Sequence, residues 1–522
     1  MINPLGRLAA RLTMISGGWT HDWPVALTHT FLGTGGRLIA EPDLAQPQVS
    51  KRLRGEHDSI TQLPTSVPRQ HSLRSGCEAA SRRVGWSRMR FLQLGSLRLA
   101  AGVAAAALAV AAVVYGFAAG GHRAHARPAA QATTTTSSAA PPPTTTTPTP
   151  VKPPVDNFTL PFYGGHATRT RDFAARPTLH PPLRLAWKLG RNALLEFPPV
   201  IWRNNLYYMD DGATVKRVNI RTGQLIWEKH MGSCHGCGLS ASTPALDVRH
   251  RLMVVSVLSL TGSTIGAVGG EAAAVSMLSG RTLWSYPVPS GSESSPVIVG
   301  NSVYFGDQAG TLTSLNVRTG AVNWTFQTGG SIKAGPAYWH GNLYFGNYAG
   351  SFYAVNARTG REVWAQSPGG QFYSTPAVAY GRVYVGNNDG SAFAFSATSG
   401  AQLWSDSLGG YVYSGPAVAD IPGLGQTVYI GSYDGDLYAI NAATGGIDWS
   451  ASVGSAISGS ATVVGHTVYV STVYVRGSYG FDARTGKQVF YFPHGSYTTV
   501  IAEPGALFLM GDYVLYKFVP AR

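Results

Sequence analysis

Charge and cysteine are both scarce in this chain of 522 residues, with charged side chains at 13% and only three cysteines. Few charges leave few solvated helix faces, so a helical bundle is a poor reading. Lysine is rarer still, with 8 against 32 arginines, which reads as composition bias more than chemistry. No phosphate-cradling glycine loop, zinc-protease helix, glycosidase carboxylate pair or Ser-His-Asp arrangement stands out, so no catalytic residue is assigned. No cysteine follows the one long apolar run at a lipoprotein-like position, which leaves a lipid anchor unsupported. What is abundant is glycine, at 63 residues. Many turns with few charged faces point to an all-β protein.

The net charge of +14 invites a nucleic-acid reading, so its location matters. Met1 to Val155 holds 16 Lys/Arg against 6 Asp/Glu, whereas Asp156 to Arg522 holds 24 against 20. The basicity belongs mostly to the N-terminal part, and no basic run with interleaved aromatics marks the remainder. Nucleic-acid binding is not expected.

Four segments follow from composition. Residues 1–90 are rich in Arg, Gly, Pro and Ser without sustained periodicity, and read as a disordered extension. Met89-Arg90 ahead of the apolar run resembles an ordinary export-signal start, so translation from Met89 is an expectation that N-terminal sequencing of the native protein would test. Residues 96–120 contain Leu99 to Gly120, 22 uncharged Ala/Val/Leu-rich residues, enough at 1.5 Å per residue to cross a bilayer. Arg82, Arg83, Arg88, Arg90 and Arg98 precede it, which places the N-terminus in the cytoplasm and the rest outside. The expectation is a single-pass signal anchor in the cytoplasmic membrane; the rival is a signal peptide cleaved near Ala124-His125-Ala126. Residues 121–155 are Thr/Pro/Ala-rich and read as an extended, disordered linker.

Residues 156–522 repeat. The marker is a small-residue–Gly turn followed four residues later by Trp: Gly223 with Trp227, Gly280 with Trp284, Gly320 with Trp324, Gly360 with Trp364, Gly400 with Trp404 and Gly445 with Trp449. The seventh copy pairs Gly486 with Phe490. Successive glycines lie 57, 40, 40, 40, 45 and 41 residues apart. Within one unit, Ser295–Val299, Ser302–Gly306, Thr311–Val317 and Ala321–Phe326 are short β-rich runs separated by Gly/Asn/Asp turns, an antiparallel meander. Asn316, Asn356, Asn441 and Asp482 stand where a side chain can cap each turn. A single four-stranded sheet cannot bury both faces, and radial stacking of such units solves that. The recurring Trp is then expected between adjacent blades.

Seven units carry all four strands. After Phe490 only three strand-like runs remain, but Leu183 to Leu189 contains Trp187, 40 residues before Trp227. That strand completes the last blade and closes the ring. The expectation is an eight-bladed β-propeller of four-stranded antiparallel blades, preceded by one transmembrane helix and a disordered linker.

The Asn/Asp-x-x-Thr-Gly-x-x-x-Trp signature resembles the tryptophan-docking repeat of the PQQ-like, or quinoprotein alcohol dehydrogenase-like, propellers, across Leu183 to Arg522. The resemblance implies one of two branches. Its dehydrogenases bind pyrroloquinoline quinone and calcium on the axis, with an adjacent Cys-Cys disulfide over the quinone. This chain has no such pair, and Cys234-His235-Gly236-Cys237 followed by Gly238 fails the haem attachment pattern. The non-enzymatic branch, similar to the propeller lipoprotein of outer-membrane assembly, acts as docking surface. The resemblance therefore favours a protein- or ligand-binding scaffold without cofactor. A PQQ- or metal-dependent oxidoreductase and a small-ligand sensor are the alternatives.

Cys234 and Cys237, beyond the apolar run, read as a structural disulfide in an oxidising compartment. Zinc or copper with His230 or His235, or a redox pair, are the other readings of the same residues. Asp210-Asp211-Gly212 and Asp434-Gly435-Asp436 occupy positions filled elsewhere by Asn388-Asp389-Gly390 and Ala349-Gly350, so turn chemistry explains them and no metal site is assigned.

Aligning the blades on the first-strand prolines singles out the residues three positions earlier: Glu196, Ala241, Glu293, Lys333, Tyr373, Tyr413, Ile457 and Tyr497. In the family the first strand lines the axis, so these are expected to ring one mouth. Structure alone needs no such mixture of acids, a lysine and tyrosines, and Glu196, Glu293, Lys333, Tyr373, Tyr413 and Tyr497 are the candidate ligand or partner site. The plain alternative is a solvated rim. An insertion of about 17 residues around Leu258 to Glu271 in blade two reads as a protruding loop.

Overall fold

Turn chemistry sets the strand ends throughout. In the computed structural model, which describes residues 157–173, 179–190, 193–234, 237–263, 269–498 and 500–521, the Asn of each Asn-x-x-x-Gly turn folds back on its own backbone. Asn316 Oδ1 accepts hydrogen bonds from the Arg318 and Thr319 amides at 3.0 and 3.2 Å. Asn219, Asn356 and Asn441 do the same in their turns, and Asp482 Oδ1 accepts from the Thr485 amide. A second Asx turn joins the second and third strands: Asp307 Oδ1 accepts from Thr311 N at 2.8 Å and Asn347 Oδ1 from Ser351 N at 2.9 Å.

These turns build eight antiparallel four-stranded blades. Blade three is representative, with Val297–Val299 innermost, then Ser302–Gly306, Thr311–Asn316 and Val322–Gln327. Blade eight is assembled from both ends of the repeat region. Ile501–Glu503, Ala506–Gly511 and Val514–Pro520 are its three inner strands, and Leu183–Gly190 is the outer one, antiparallel to Val514–Pro520. The eight-bladed ring and its closure by the Trp187 strand are therefore as the repeat implied. The expected transmembrane helix at 96–120, the extension before it and the linker lie outside the described residues. Among the described residues no helix is long and apolar enough to cross a membrane.

The Trp-Gly spacing has a joint-like explanation. Each outer-strand indole donates to a carbonyl at the turn of the next blade: Trp187 to Ile220, Trp227 to Met277, Trp284 to Val317, Trp324 to Ala357, Trp364 to Ala397, Trp404 to Ala442 and Trp449 to Ala483, at 2.9–3.3 Å. The indole lies on the Gly of that turn. A Cβ at Gly360 would stand 2.7 Å from Trp324, and φ there is +70°, so only glycine suits the position. The same carbonyl often takes a tyrosine hydroxyl as well, as Ala357 O does from Tyr304 at 3.0 Å. Phe490 breaks the series for a physical reason. Blade eight has no hairpin between its outer two strands, so blade seven meets no turn carbonyl, and Phe490 packs on Phe518 instead, ring centroids 6.0 Å apart.

The axis holds a feature the repeat did not announce. Residues 158–173, ahead of the first blade, form a strap that runs around the inside of the ring. Thr159–Leu160 pairs antiparallel with the inner strand of blade one, Val200–Trp202. The carbonyls of Pro161, Ala167, Thr168, Thr170 and Arg171 then accept from Leu246, Tyr338, Val378, Val418 and Val463, the inner strands of blades two, four, five, six and seven. Asp172–Phe173 ends the strap, parallel to Thr462–Val464. The inner strands of a propeller would otherwise leave their axis-facing amides unpaired. The strap supplies the partners.

Candidate functional site

Two arginines of the strap are fully buried on the axis, both with positive φ, Arg169 at 60° and Arg171 at 51°. Such a backbone is uncommon for arginine and persists because the surroundings determine it. Arg169 donates from Nε to Pro336 O at 3.1 Å, from Nη2 to Ser295 O and Pro296 O at 2.9 and 3.1 Å, and from Nη1 to Tyr163 O at 2.6 Å. Arg171 Nη1 reaches Arg169 O and Pro416 O at 2.8 and 3.0 Å. Gly335 and Gly415, just before two of the inner-strand prolines, leave the room these guanidiniums occupy. Burial drags the Arg169 guanidinium down to about 9, with Arg171 adding repulsion, and burial lowers Arg171 too. Arg169 thus remains protonated at neutral pH.

Tyr163 lies over this pair, its ring 4.7 Å from the Arg171 guanidinium carbon and its hydroxyl 2.6 Å from Ser460 Oγ. It forms the floor of a cup open at one mouth of the ring, with a cavity volume of about 90 Å³. Glu196, Glu293, Lys333, Tyr373, Tyr413 and Tyr497 all line that cup, together with Tyr163, Phe197 and Tyr433. Ala241 and Ile457 are buried but do not line it. Each of the six predicted wall residues sits in the loop that leads into an inner strand, which is why spacing from the proline aligned them.

The wall has two characters. On the blade-three side, Glu293 is 3% exposed; its Oε1 accepts from Gln308 Nε2 at 2.8 Å and pairs with Lys333 Nζ at 3.3 Å, while its Oε2 is buried without a hydrogen-bond partner. The Lys333 ammonium also lies 4.8 Å from the Tyr348 ring centroid and 6.0 Å from that of Tyr373. Glu196, 8% exposed, has its carboxyl pushed well above the usual range by burial, then by Asp211 and Glu293. Burial raises Asp211 as well, with Asp210 next. The opposite side is aromatic: Tyr373 and Tyr413 meet edge to face at 5.0 Å, and Tyr413 and Tyr433 at 4.8 Å. Burial raises the phenols of Tyr373 and Tyr433. Tyr433 leads outward to Tyr411 and Tyr474, 53% and 56% exposed.

Sequence reasoning missed Tyr163, because it precedes the repeat, and the second ring of Asp211, Tyr348 and Tyr433. The latter follow the capping residue of the turn between second and third strands. Aligning blades on that turn as well as on the prolines would have found them.

Away from the axis, Cys234 and Cys237 are joined as a disulfide in the loop leading into blade two. His230 is occupied locally, its Nε2 donating to Cys234 O at 2.8 Å and its Nδ1 3.2 Å from Thr214 Oγ1. His235 lies outside the described residues. Among the described residues no group of three or more His, Cys, Asp or Glu could hold a metal ion. The blade-two insertion is described only at its two ends, Leu258–Ser263 and Gly269–Glu271.

A radial ring of Trp-docked, four-stranded blades with a walled axial cup defines a PQQ-type eight-bladed propeller. The profile of the family described as outer membrane protein assembly factor BamB matches residues 211–332 and 308–517, more than half of the chain, and the chain belongs to that family. Among solved structures it is similar to BamB from Moraxella catarrhalis, at 18% identity and a TM-score of 0.54 over 65% of this chain and 98% of that one. It is likewise similar to the quinohemoprotein alcohol dehydrogenase from Comamonas testosteroni, at 15% identity and a TM-score of 0.55 over 69% and 80%. A europium-containing methanol dehydrogenase gives 11% identity and 0.55 over 69% and 98%. At these identities the likeness is one of fold. No curated protein sequence matches.

Proposed function

We propose that this chain is a non-catalytic binding propeller, tethered to the outer face of the cytoplasmic membrane by the helix at 96–120 and held off it by the 121–155 linker. Its partner is received at the axial mouth. The observation that carries this reading is the floored cup, whose scaffold repeats around the ring while its wall changes from blade to blade. A wall under no demand from a ligand has no reason to gather two glutamates, a lysine and a tyrosine cluster. The family description names an assembly factor, and assembly is a task done by holding other proteins. The arginine-flanked apolar run supports the anchor and its orientation.

The residues of the cup do not fit pyrroloquinoline quinone. A cavity of about 90 Å³ falls below the roughly 300–1,000 Å³ of typical small-molecule and cofactor sites. The quinone carries three carboxyl groups, whereas the wall offers two glutamates and one lysine already paired with Glu293. No oxidoreductase step is derived.

The test is site-specific photocrosslinking in native membranes. A crosslinker at Tyr474 on the mouth is expected to capture a discrete partner, and one at Val489, exposed on the outer strand of blade seven, is not. Capture from Val489 alone sinks the axial reading. Dye-linked alcohol oxidation by the full chain supplied with the quinone and Ca²⁺ overturns the non-catalytic one.

A further inference from the structure

We propose that the axial cup takes a cationic side chain, a lysine ammonium or arginine guanidinium carried on an exposed segment of a partner protein. This deepens the binding reading above and rests on it. The first support is that the cup already holds one ammonium in this manner. Lys333 Nζ lies between Glu293 Oε1 at 3.3 Å and the faces of Tyr348 and Tyr373. A carboxylate beside aromatic faces is the chemistry that recognises desolvated cations. The second support is capacity left over. Glu293 Oε2 is buried, unpartnered and on the cup wall. A buried carboxylate oxygen without a donor is costly, and an incoming N–H would satisfy it. Glu196 adds a second, buried carboxyl to the same wall.

Arg169 and Arg171 lie under the Tyr163 ring; the Arg169 donors and Arg171 Nη1 go to backbone carbonyls, while Arg171 Nε and Nη2 are buried without an acceptor, so the incoming cation is held by the Glu293 and tyrosine side of the wall. Lys333 is neutralised by Glu293. Tyr373, Tyr413 and Tyr433 close the remaining wall with uncharged rings. The cavity of about 90 Å³ accommodates the tip of one side chain, not a whole peptide. A shelf alongside, lined by Tyr348, Asp389, Tyr411 and Tyr433, suits the residues flanking the inserted one and is itself acidic and aromatic. A partner segment with its basic residue pointing inward matches both parts.

The experiment titrates the full-length chain with four probes, followed by saturation-transfer NMR and calorimetry. Three are blocked pentapeptides, Gly-Gly-X-Gly-Gly, with lysine, norleucine or glutamate at X; the fourth is tetramethylammonium. The lysine peptide is expected to bind about tenfold or more tightly than the other two peptides, the size of one desolvated ion-pair and cation–π contact. Glu196→Gln is expected to remove that preference, and Tyr433→Leu, which alters no charge, to weaken it, with both variants still unfolding in one cooperative transition. Equal binding of norleucine overturns the proposal in favour of an apolar pocket, and tighter binding of glutamate overturns its sign. Tetramethylammonium binding better than the lysine peptide overturns the partner-protein source. If no probe binds while Tyr474 still captures a partner, the cation inference falls and the binding reading stands. If neither occurs, both fall.

Discussion

At the scale of single residues, the Trp-Gly joint makes the sharpest claims. Trp324 fills the space over Gly360 and donates to Ala357 O, so Trp324→Ala is expected to cost about 3–5 kcal/mol by opening a cavity. Chemical denaturation reads this directly, and a mutant unfolding like the parent would refute the docking role. Gly360→Ala is expected to destabilise from the other side of the same contact, since the methyl meets both a positive φ and the indole. The buried acids give a pH signature. Glu196 and Asp211 hold protons in the folded chain at pH values where the unfolded chain has released them, because burial raises both. Their contribution to stability is full below the ordinary carboxyl values of 4.5 and 3.8 and is lost as pH rises through the raised ones. Melting temperature is therefore expected to fall on going from about pH 5 towards neutrality, and Glu196→Gln to flatten that slope. An unchanged slope would remove Glu196 as its source.

At the scale of elements, the strap and the seventh joint are where the structure adds most to the sequence. The repeat was legible because identical physical demands recur every 40 or so residues: a positive φ, a capping Asn and an indole. Blade count and closure followed from Trp187 for the same reason. The cup wall was legible in part, because Glu293, Lys333, Tyr373 and Tyr413 keep a fixed offset from a repeated proline. The strap occurs once, so no internal comparison could expose it, and its pairing is by backbone groups that any sequence carries. Its specific signal is Arg169 and Arg171, whose burial among carbonyls no local pattern announces. Arg169→Ala leaves the carbonyls of Ser295, Pro296 and Pro336 without that donor. A loss of several kcal/mol is expected, as for breaking a buried hydrogen-bonded network, and Arg169→Lys should recover little because one ammonium cannot span acceptors on two blades and the strap. The joint between blades seven and eight lacks both indole bond and glycine socket. Amide exchange is expected to be faster in Gln488–Phe492 than in Val322–Gln327, the corresponding outer strand of blade three. Equal protection would show that the Phe490–Phe518 contact alone suffices.

At the scale of the whole molecule, the ring carries its candidate site on the axis. Eight similar blades place dissimilar side chains around one axis, and the strap converts what would be a channel into a cup with Tyr163 at its base. The family's fold is shared by proteins named as assembly factor and as dehydrogenase, so the ring itself decides nothing about function. The decision lies with the wall, where two glutamates, a lysine and a tyrosine cluster meet, and it is there that the proposed basic residue of a partner would be held.

The split of blade eight also governs the order of events as the chain emerges. Leu183–Gly190 is made before any blade is complete, yet its partner Val514–Pro520 is the last strand of all. The strap leaves earlier still, and its final contacts wait for Val418 and Val463. Pairings at such sequence separation are slow to form. Two segments therefore travel unpaired for the length of the whole propeller, and a chain interrupted before Val514 has seven blades but no latch.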